Sequence, residues 1–178
     1  MNKKSFLSCL LLLSSLSVSS FAKEYTPYYV FVSANATEAT LKSTSQGSAS
    51  SSGFNIGGGI NLKNEERGGT FGVQFEYADY GNYEDGNISQ DLSAFQLTLA
   101  GQFPLTDYGL GIAARSGLNF WSSEGNVSAS SMGTLIEVGP YYETHHFRFS
   151  LSYLAMPLSD KDLRMTVKGL NTGFLYQF

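Results

Sequence analysis

The chain has 178 residues, of which 42% are hydrophobic and only 15% are charged, with a net charge of −4. The charged fraction is well below the roughly 25% of ordinary soluble domains, and an acidic chain lacks the basic surface that nucleic-acid binding requires. After residue 22 no stretch of 18 consecutive apolar residues occurs, which excludes a membrane protein built from helices.

Residues 1–22 have the pattern of a secretory signal peptide. Lys3 and Lys4 form a charged start, a Leu- and Ser-rich apolar run follows, and Ser20-Phe21-Ala22 is a small-x-small cleavage site. Cleavage after Ala22 removes Cys9, the one cysteine of the chain. The mature domain, residues 23–178, is therefore predicted to contain no disulfide, thiolate nucleophile or cysteine metal site.

The rest of the chain alternates with a period of two, which predicts β-strands with one apolar face and one small or polar face. In the clearest example, Phe71, Val73, Phe75 and Tyr77 share one parity and Glu76 lies on the other. Eight such segments are predicted, at 28–36, 54–62, 71–78, 95–103, 108–120, 133–142, 147–153 and 170–178. Pro140 lacks an N–H for the ladder, so a bulge or a strand end is expected near it.

The connections alternate between long and short. Those at 37–51, 81–91, 122–131 and 157–166 are long and polar, and those at 63–69, 104–107 and 143–145 are short. The Ser-rich stretch Ser43–Ser52 is expected to be mobile and exposed, and Tyr83, Glu84 and Asp85 are expected to make the second long loop acidic.

This layout predicts a closed, eight-stranded, antiparallel up-and-down β-barrel that spans an outer membrane, with long loops at one rim and short turns at the other. The alternative is a soluble β-sandwich, whose apolar parity faces inward. An outward apolar parity is favoured because a narrow eight-stranded barrel is filled by its own inward side chains. It is also favoured by aromatic residues near both ends of the apolar parity, as expected for interfacial girdles. These are Phe71, Phe103, Tyr108, Tyr142, Phe147 and Phe178 at the short-turn end, and Phe54, Tyr77, Phe95 and Phe120 at the other.

The last eight residues, Asn171–Phe178, resemble the C-terminal β-signal of outer-membrane proteins, carried here by Gly173, Tyr176 and Phe178. The resemblance implies recognition by the outer-membrane assembly machinery. The chain as a whole resembles the transmembrane domain of the OmpA family. The resemblance is carried by 75–77 with Tyr80-Gly81, by 95–99 leading to 103–107, by 114–117 with Trp121, and by the closing Gly173 strand. It ends without the periplasmic peptidoglycan-binding domain of typical members, so cell-wall anchoring is not expected.

Four charged residues, Glu76, Arg115, Glu137 and Arg148, fall on the inward parity. Because buried charges need partners, they are predicted to pair, Glu76 with Arg115 at similar depth and Glu137 with Arg148 diagonally across a hairpin. The network is either a neutral structural plug or a gate, and the resemblance implies an interior salt-bridge network of the kind interpreted as a gate to small ions.

Catalysis is not expected. The two histidines, His145 and His146, are adjacent in a short turn, where neighbours point to opposite faces and make a poor metal site. Glu143 beside them is expected to be solvated. No cofactor or metal is predicted.

The sequence therefore predicts a monomeric barrel in the outer membrane of a Gram-negative bacterium, with both termini in the periplasm. A structural or membrane-integrity role with a narrow, polar, charge-paired interior is favoured. The alternatives are a surface adhesin or colonisation factor whose loops bind a host or cell-surface ligand, and a small gated ion pathway. The expected partners are membrane lipid and the assembly machinery.

Overall fold

The computed structural model describes residues 28–42, 46–65, 69–85, 88–126, 128–160 and 163–178, and these residues form one closed antiparallel barrel of eight strands in sequence order. The strands are β1 (Tyr28–Lys42), β2 (Gln46–Glu65), β3 (Gly69–Asp85), β4 (Ile88–Pro104), β5 (Leu110–Gly125), β6 (Ala129–Thr144), β7 (Phe147–Ser159) and β8 (Arg164–Gln177). The signal peptide predicted at 1–22 lies outside the described residues. Within the described ranges, no helix has the length and hydropathy needed to cross a membrane.

Closure of the barrel joins the first strand to the last. β1 pairs with β8 from Tyr29↔Gln177 to Leu41↔Met165, so each strand has a neighbour on both sides. A closed sheet satisfies the main-chain hydrogen bonds that lipid cannot satisfy. The predicted fold class is confirmed.

The two ends of the barrel differ. One end, here called the terminal end, carries Tyr28, Phe178 and the connections at 105–109 and 145–146. The other, here called the distal end, carries the strand ends at Lys42, Asp85, Gly125 and Ser159. The strands have 13 to 20 residues, against about 9–11 for a membrane-spanning strand. The barrel wall therefore continues beyond the part that lipid covers.

The predicted long loops are for the most part strand. β2 begins at Gln46, so the second half of the Ser43–Ser52 stretch is paired with β1, and residues 43–45 lie outside the described ranges. Tyr83 is not part of an acidic loop either, since it lies in β3 with its side chain buried inside the barrel. Glu84 and Asp85 also lie in β3 rather than in a loop, and Glu84 is exposed. A serine-rich composition predicts loops, but here pairing with neighbouring strands outweighs the weak strand propensity of these residues.

Large apolar side chains face outward over the terminal part of the wall and are here called the apolar belt. Ring contacts between neighbouring strands support it, including Phe71–Phe103 with centroids 5.9 Å apart and Phe147–Phe174 at 5.5 Å. The belt comprises, among others, Val32, Phe54, Ile60, Leu62, Val73, Phe75, Phe95, Leu97, Leu99, Ile112, Leu118, Phe120, Ile136, Val138, Tyr142, Phe149, Leu151, Tyr153, Leu170 and Phe178. An outward belt excludes the sandwich, which would bury this parity.

Two prolines interrupt the ladder between β6 and β7. Registered pairs are absent at Gly139 and Pro140 and resume at Tyr141↔Ser150 in unchanged register. The prediction of a bulge or a strand end near Pro140 is therefore wrong, because β6 continues past this residue and loses only its registered pairs with β7 there. Pairing ends at Ile136↔Ala155, two residues before Pro157, which has no N–H to offer β6.

Registered pairing is also interrupted between β2 and β3, where it ends at Phe54↔Asp79. The interruptions at β6–β7 and at β2–β3 are here called seams. Just beyond, β3 has an irregularity between Asp79 and Gly81, and the Gly81 amide donates to Asp79 Oδ1 at 2.8 Å. The seams lie on opposite sides of the barrel. Above the apolar belt, registered pairs therefore join the strands in two groups of four, β7-β8-β1-β2 and β3-β4-β5-β6, here called the two four-stranded sheets.

Candidate functional site: the barrel interior

A buried cluster of three charged residues crosses the middle of the barrel. Arg115 on β5 donates through Nη1 to Glu76 Oε2 on β3 at 2.5 Å, and through Nε to Glu137 Oε2 on β6 at 2.9 Å. Arg115 and Glu137 are register partners, whereas Glu76 approaches from two strands away. Glu76, Arg115 and Glu137 are here called the charge layer.

The two carboxylates of the charge layer differ in their hydrogen bonding. Glu137 Oε1 accepts from Ser152 Oγ and from Asn171 Nδ2, the latter at 3.2 Å. Glu76 Oε2 also accepts from Gln74 Nε2 at 3.1 Å, but Glu76 Oε1 has no partner among the described residues. Burial of these charges costs free energy that pairing and hydrogen bonds must offset, and Glu137 is the better satisfied of the two.

Arg148 belongs to a separate pair. Its Nε and Nη2 donate to Glu143 Oε2, with Nε at 2.7 Å, and its guanidinium lies 4.8 Å from the centroid of the Tyr141 ring. The diagonal pairing expected between Glu137 and Arg148 is therefore wrong. Glu143 is not simply solvated, because its half-buried carboxylate is the partner of Arg148. The reason is register: Glu143 lies directly opposite Arg148, whereas Glu137 lies opposite Leu154.

A cavity of about 90 Å³ lies in the terminal half of the interior. It is bounded by the charge-layer residues Arg115 and Glu137, by Arg148, and by small or polar side chains that include Gln74, Ser33, Ser150, Ser152 and Asn171. Glycines on the inward parity make room for rings in this half: a Cβ at Gly59 would lie 2.3 Å from the Tyr29 hydroxyl, and one at Gly57 would lie 2.6 Å from Phe31 Cζ. Polar and small side chains thus make up most of the lining of this cavity.

The distal half of the interior is largely apolar, with Thr37, Gln90 and Ser123 as buried polar residues, and the sequence interpretation missed this. A cluster of buried side chains, here called the distal core, fills the barrel above the charge layer. It comprises Ala39, Ala49, Ala78, Tyr80, Tyr83, Leu92, Ala94, Trp121, Ala129, Leu135, Leu154, Met156, Leu158, Leu163, Met165 and Val167. Its members come from both four-stranded sheets, which face one another across it.

A sequence signal for the distal core does exist. Along β7 the apolar residues change parity, from outward Phe149, Leu151 and Tyr153 to inward Leu154 and Met156. The same change occurs in β8, where inward Met165 and Val167 precede outward Leu170. Each change marks the level at which the wall leaves the lipid, because an outward apolar residue is no longer favoured there and an inward one packs against the opposite sheet.

The remaining predicted residues lie at the terminal end. Gly173 and Tyr176 are in β8, and the Phe178 amide donates to Tyr28 O at 3.3 Å. The Tyr176 ring packs on Phe147 and Phe178, with centroids 5.3 and 5.2 Å away. His145 and His146 form the exposed β6–β7 turn, with His145 at φ 46°. In the described part of the chain no group of three or more His, Cys, Asp or Glu side chains is arranged to hold a metal ion.

Comparison with known proteins gives one family match. The model of the family described as "Outer membrane protein beta-barrel domain" matches residues 8–178. Curated proteins gave no significant match.

Two of the solved structures that match illustrate the shared fold. Neisserial surface protein A is 16% identical, with a TM-score of 0.74, and the match covers 88% of this chain and 100% of that one. Ail, the attachment invasion locus protein of Yersinia pestis, is 16% identical, with a TM-score of 0.53, and the match covers 85% of this chain and 99% of that one.

Proposed function

The chain belongs to the outer membrane protein β-barrel domain family, and from this premise we propose that it is a structural outer-membrane barrel that supports membrane integrity and has no open channel. The observation that carries the proposal is the filled interior. An ion entering from the terminal end would meet the charge layer and then the distal core.

The distal core is the stronger barrier of the two. Its large members Trp121, Tyr80, Leu135, Leu154 and Met156 are fully buried, and an unpaired ion in such surroundings costs many kcal/mol. Rearrangement of the charge layer alone would leave this barrier in place. The gated ion pathway therefore ranks behind the structural role.

Planar-bilayer recording of the refolded mature chain tests this proposal, with folding checked by the mobility shift on gels with and without boiling. We expect no conductance steps from the wild type or from Glu76→Gln, because the distal core is intact in both. Reproducible steps that Glu76→Gln alters would overturn the proposal and make the charge layer a gate. In the native bacterium, deletion of the gene should raise detergent sensitivity, and expression of either form should restore resistance.

Surface attachment through the distal end is the second candidate. Above the apolar belt the outward residues include the hydroxylated or acidic Ser50, Glu84, Asp91 and Glu124, and strand pairing holds them on a fixed wall. The combination Glu84→Lys, Asp91→Lys and Glu124→Lys should abolish cell binding if this wall is adhesive. Arg148→Lys, inside the barrel, is the control that should bind normally.

In both roles the distal end lies outside the cell. The terminal end then lies in the periplasm, on the side of the assembly machinery, and it carries the β-signal residues Gly173, Tyr176 and Phe178. Because Cys9 is the one cysteine and lies in the predicted signal peptide, single cysteines report the orientation. A membrane-impermeant maleimide should label Glu124→Cys in intact cells, and Asp107→Cys only after lysis. The opposite pattern would invert the topology.

A further inference from the structure

Three polar residues form a row across the interior beside the charge layer. Glu76 on β3 is the register partner of Gln96 on β4, and Gln96 is the register partner of Asn119 on β5. All three side chains face inward, with exposed fractions of 1%, 0% and 0%. Side chains at directly opposite positions of neighbouring strands have Cβ atoms about 4.5–5.5 Å apart, so the three side chains stand side by side on the inner wall.

Each residue of the row has one oxygen that accepts no hydrogen bond from the described part of the chain. These are Glu76 Oε1, Gln96 Oε1 and Asn119 Oδ1. The other polar atoms of the same side chains are engaged: Gln96 Nε2 donates to the Tyr80 hydroxyl at 2.6 Å, and Asn119 Nδ2 contacts Met156 Sδ at 2.5 Å. Buried oxygens without a donor are rare, and each calls for a partner.

The charges around the row do not balance. The charge layer contains two carboxylates, Glu76 and Glu137, against the one guanidinium of Arg115. Arg148 does not correct the difference, since it is paired with Glu143 near the terminal end. One negative charge is left over in a buried region, and the carboxylate oxygen without a partner belongs to Glu76.

We propose that Glu76, Gln96 and Asn119 bind one alkali-metal cation, of which sodium is the probe. Carboxylate and amide oxygens are the ligands that hard cations take, and a single positive charge neutralises the excess of one. A divalent ion would instead leave the buried region with an excess of one positive charge. Thr98 Oγ1, also buried and without a partner, lies two residues along β4 and offers a fourth oxygen.

Urea unfolding of the refolded chain in zwitterionic micelles tests the site, with the single Trp121 of the distal core as the fluorescent reporter. Sodium chloride is compared with choline chloride at equal ionic strength, since choline is too large for the row. For one bound ion, each tenfold rise in sodium above the dissociation constant should lower the unfolding constant by about tenfold. Choline should have no such effect.

Variants distinguish a site from a general salt effect. Glu76→Gln should lose the sodium dependence, whereas Glu143→Gln, which removes the same charge outside the row, should keep it. If Glu76→Gln does not refold, Gln96→Met and Asn119→Leu take its place and should weaken the dependence. Equal stability in sodium and choline, or a sodium effect that persists in the row variants, would overturn the proposal. A dependence on pH alone would also overturn it, because a proton would then neutralise Glu76.

Discussion

Gly111 lies directly beneath the ring of its register partner Tyr141: a Cβ at position 111 would stand 2.3 Å from Tyr141 Cζ. The three nearest atoms to such a Cβ all belong to the Tyr141 side chain. The glycine therefore allows the ring to lie flat against the wall, where the Arg148 guanidinium covers it.

Gly111→Ala should destabilise the barrel by about 1–3 kcal/mol, because the added methyl displaces the ring of Tyr141. In the double variant with Tyr141→Ala, the alanine at 111 should cost much less, giving a coupling of about 0.5–3 kcal/mol between neighbours. Urea unfolding of the four proteins measures this coupling. Additive effects would mean that the ring does not lie on Gly111.

Arg115→Met should be strongly destabilising, by about 3–5 kcal/mol, because it leaves Glu76 and Glu137 buried without their shared partner. Arg148→Met is the matched comparison and should cost less, since Glu143 is 36% exposed and water can solvate it. Unfolding free energies in micelles test the order. Equal losses would show that water reaches the charge layer as readily as the terminal end.

Leu135→Ala should cost about 2–5 kcal/mol, because it opens a cavity in the distal core. The adjacent Ile136→Ala is the control, with the same kind of truncation on the opposite face. Leu135 is 0% exposed and Ile136 is 61% exposed, so the control leaves no cavity and should lose less. A larger loss for Ile136→Ala in urea unfolding would place the packed core outside the barrel.

Pro157→Ala should extend the β6–β7 ladder by supplying an N–H opposite Thr134. Pro157 O already faces this seam, as it lies 3.0 Å from the ideal Cβ of Gly133. Amide hydrogen exchange in residues 129–135 should therefore slow relative to the wild type, while exchange in the β8–β1 ladder stays unchanged. Unchanged exchange in 129–135 would mean that Pro157 does not cause the ladder to end.

Tyr83 makes the stability of the folded barrel depend on pH in the alkaline range. It lies above the apolar belt, with its hydroxyl 2.5 Å from Thr37 Oγ1 on the opposite sheet, and burial raises the pKa of Tyr83 from 10 to about 12. A raised pKa means that the folded state holds the proton more tightly. The stabilisation is complete below pH 10 and is lost as the pH rises through about 12.

Between pH 9 and pH 12, the free energy of unfolding of Tyr83→Phe should consequently fall less than that of the wild type. The two losses should differ by about 2 kcal/mol at most. Urea unfolding at the two pH values provides the comparison, and the other tyrosines cancel in the difference. Parallel losses in both proteins would show that Tyr83 ionises as freely in the folded barrel as in the unfolded chain.

The faces of the strands could be predicted because the period of two is local. Neighbours such as Phe75 and Glu76 must point to opposite faces in any strand, so lipid contact for one predicts the interior for the other. The contact between Glu76 and Arg115 also follows from parity and depth. The partner of Arg148 could not be predicted in this way, because it depends on register. Glu143 and Glu137 share a parity, and only the turn decides which of them lies opposite Arg148.

The extent of the strands and the distal core depend on packing between distant segments. Ser48, Ser50 and Ser52 have little strand propensity of their own, and they are held by pairing with β1. Leu92 and Leu154 belong to strands far apart in the chain, and nothing local indicates that they pack into one core. The change of parity along β7 indicates a boundary, but identifying it requires knowing that the wall leaves the lipid there.

The ladder between β1 and β8 has a consequence for how the protein is made. Seven ladders join strands that are consecutive in the chain and can form as hairpins, whereas the eighth joins Tyr29 to Gln177. β8 is synthesised after the other seven strands, so the edge of β1 stays open until β8 is available. Closure therefore carries the largest loop entropy of any pairing step, and until it occurs the edges of β1 and β8 lack their partner strand.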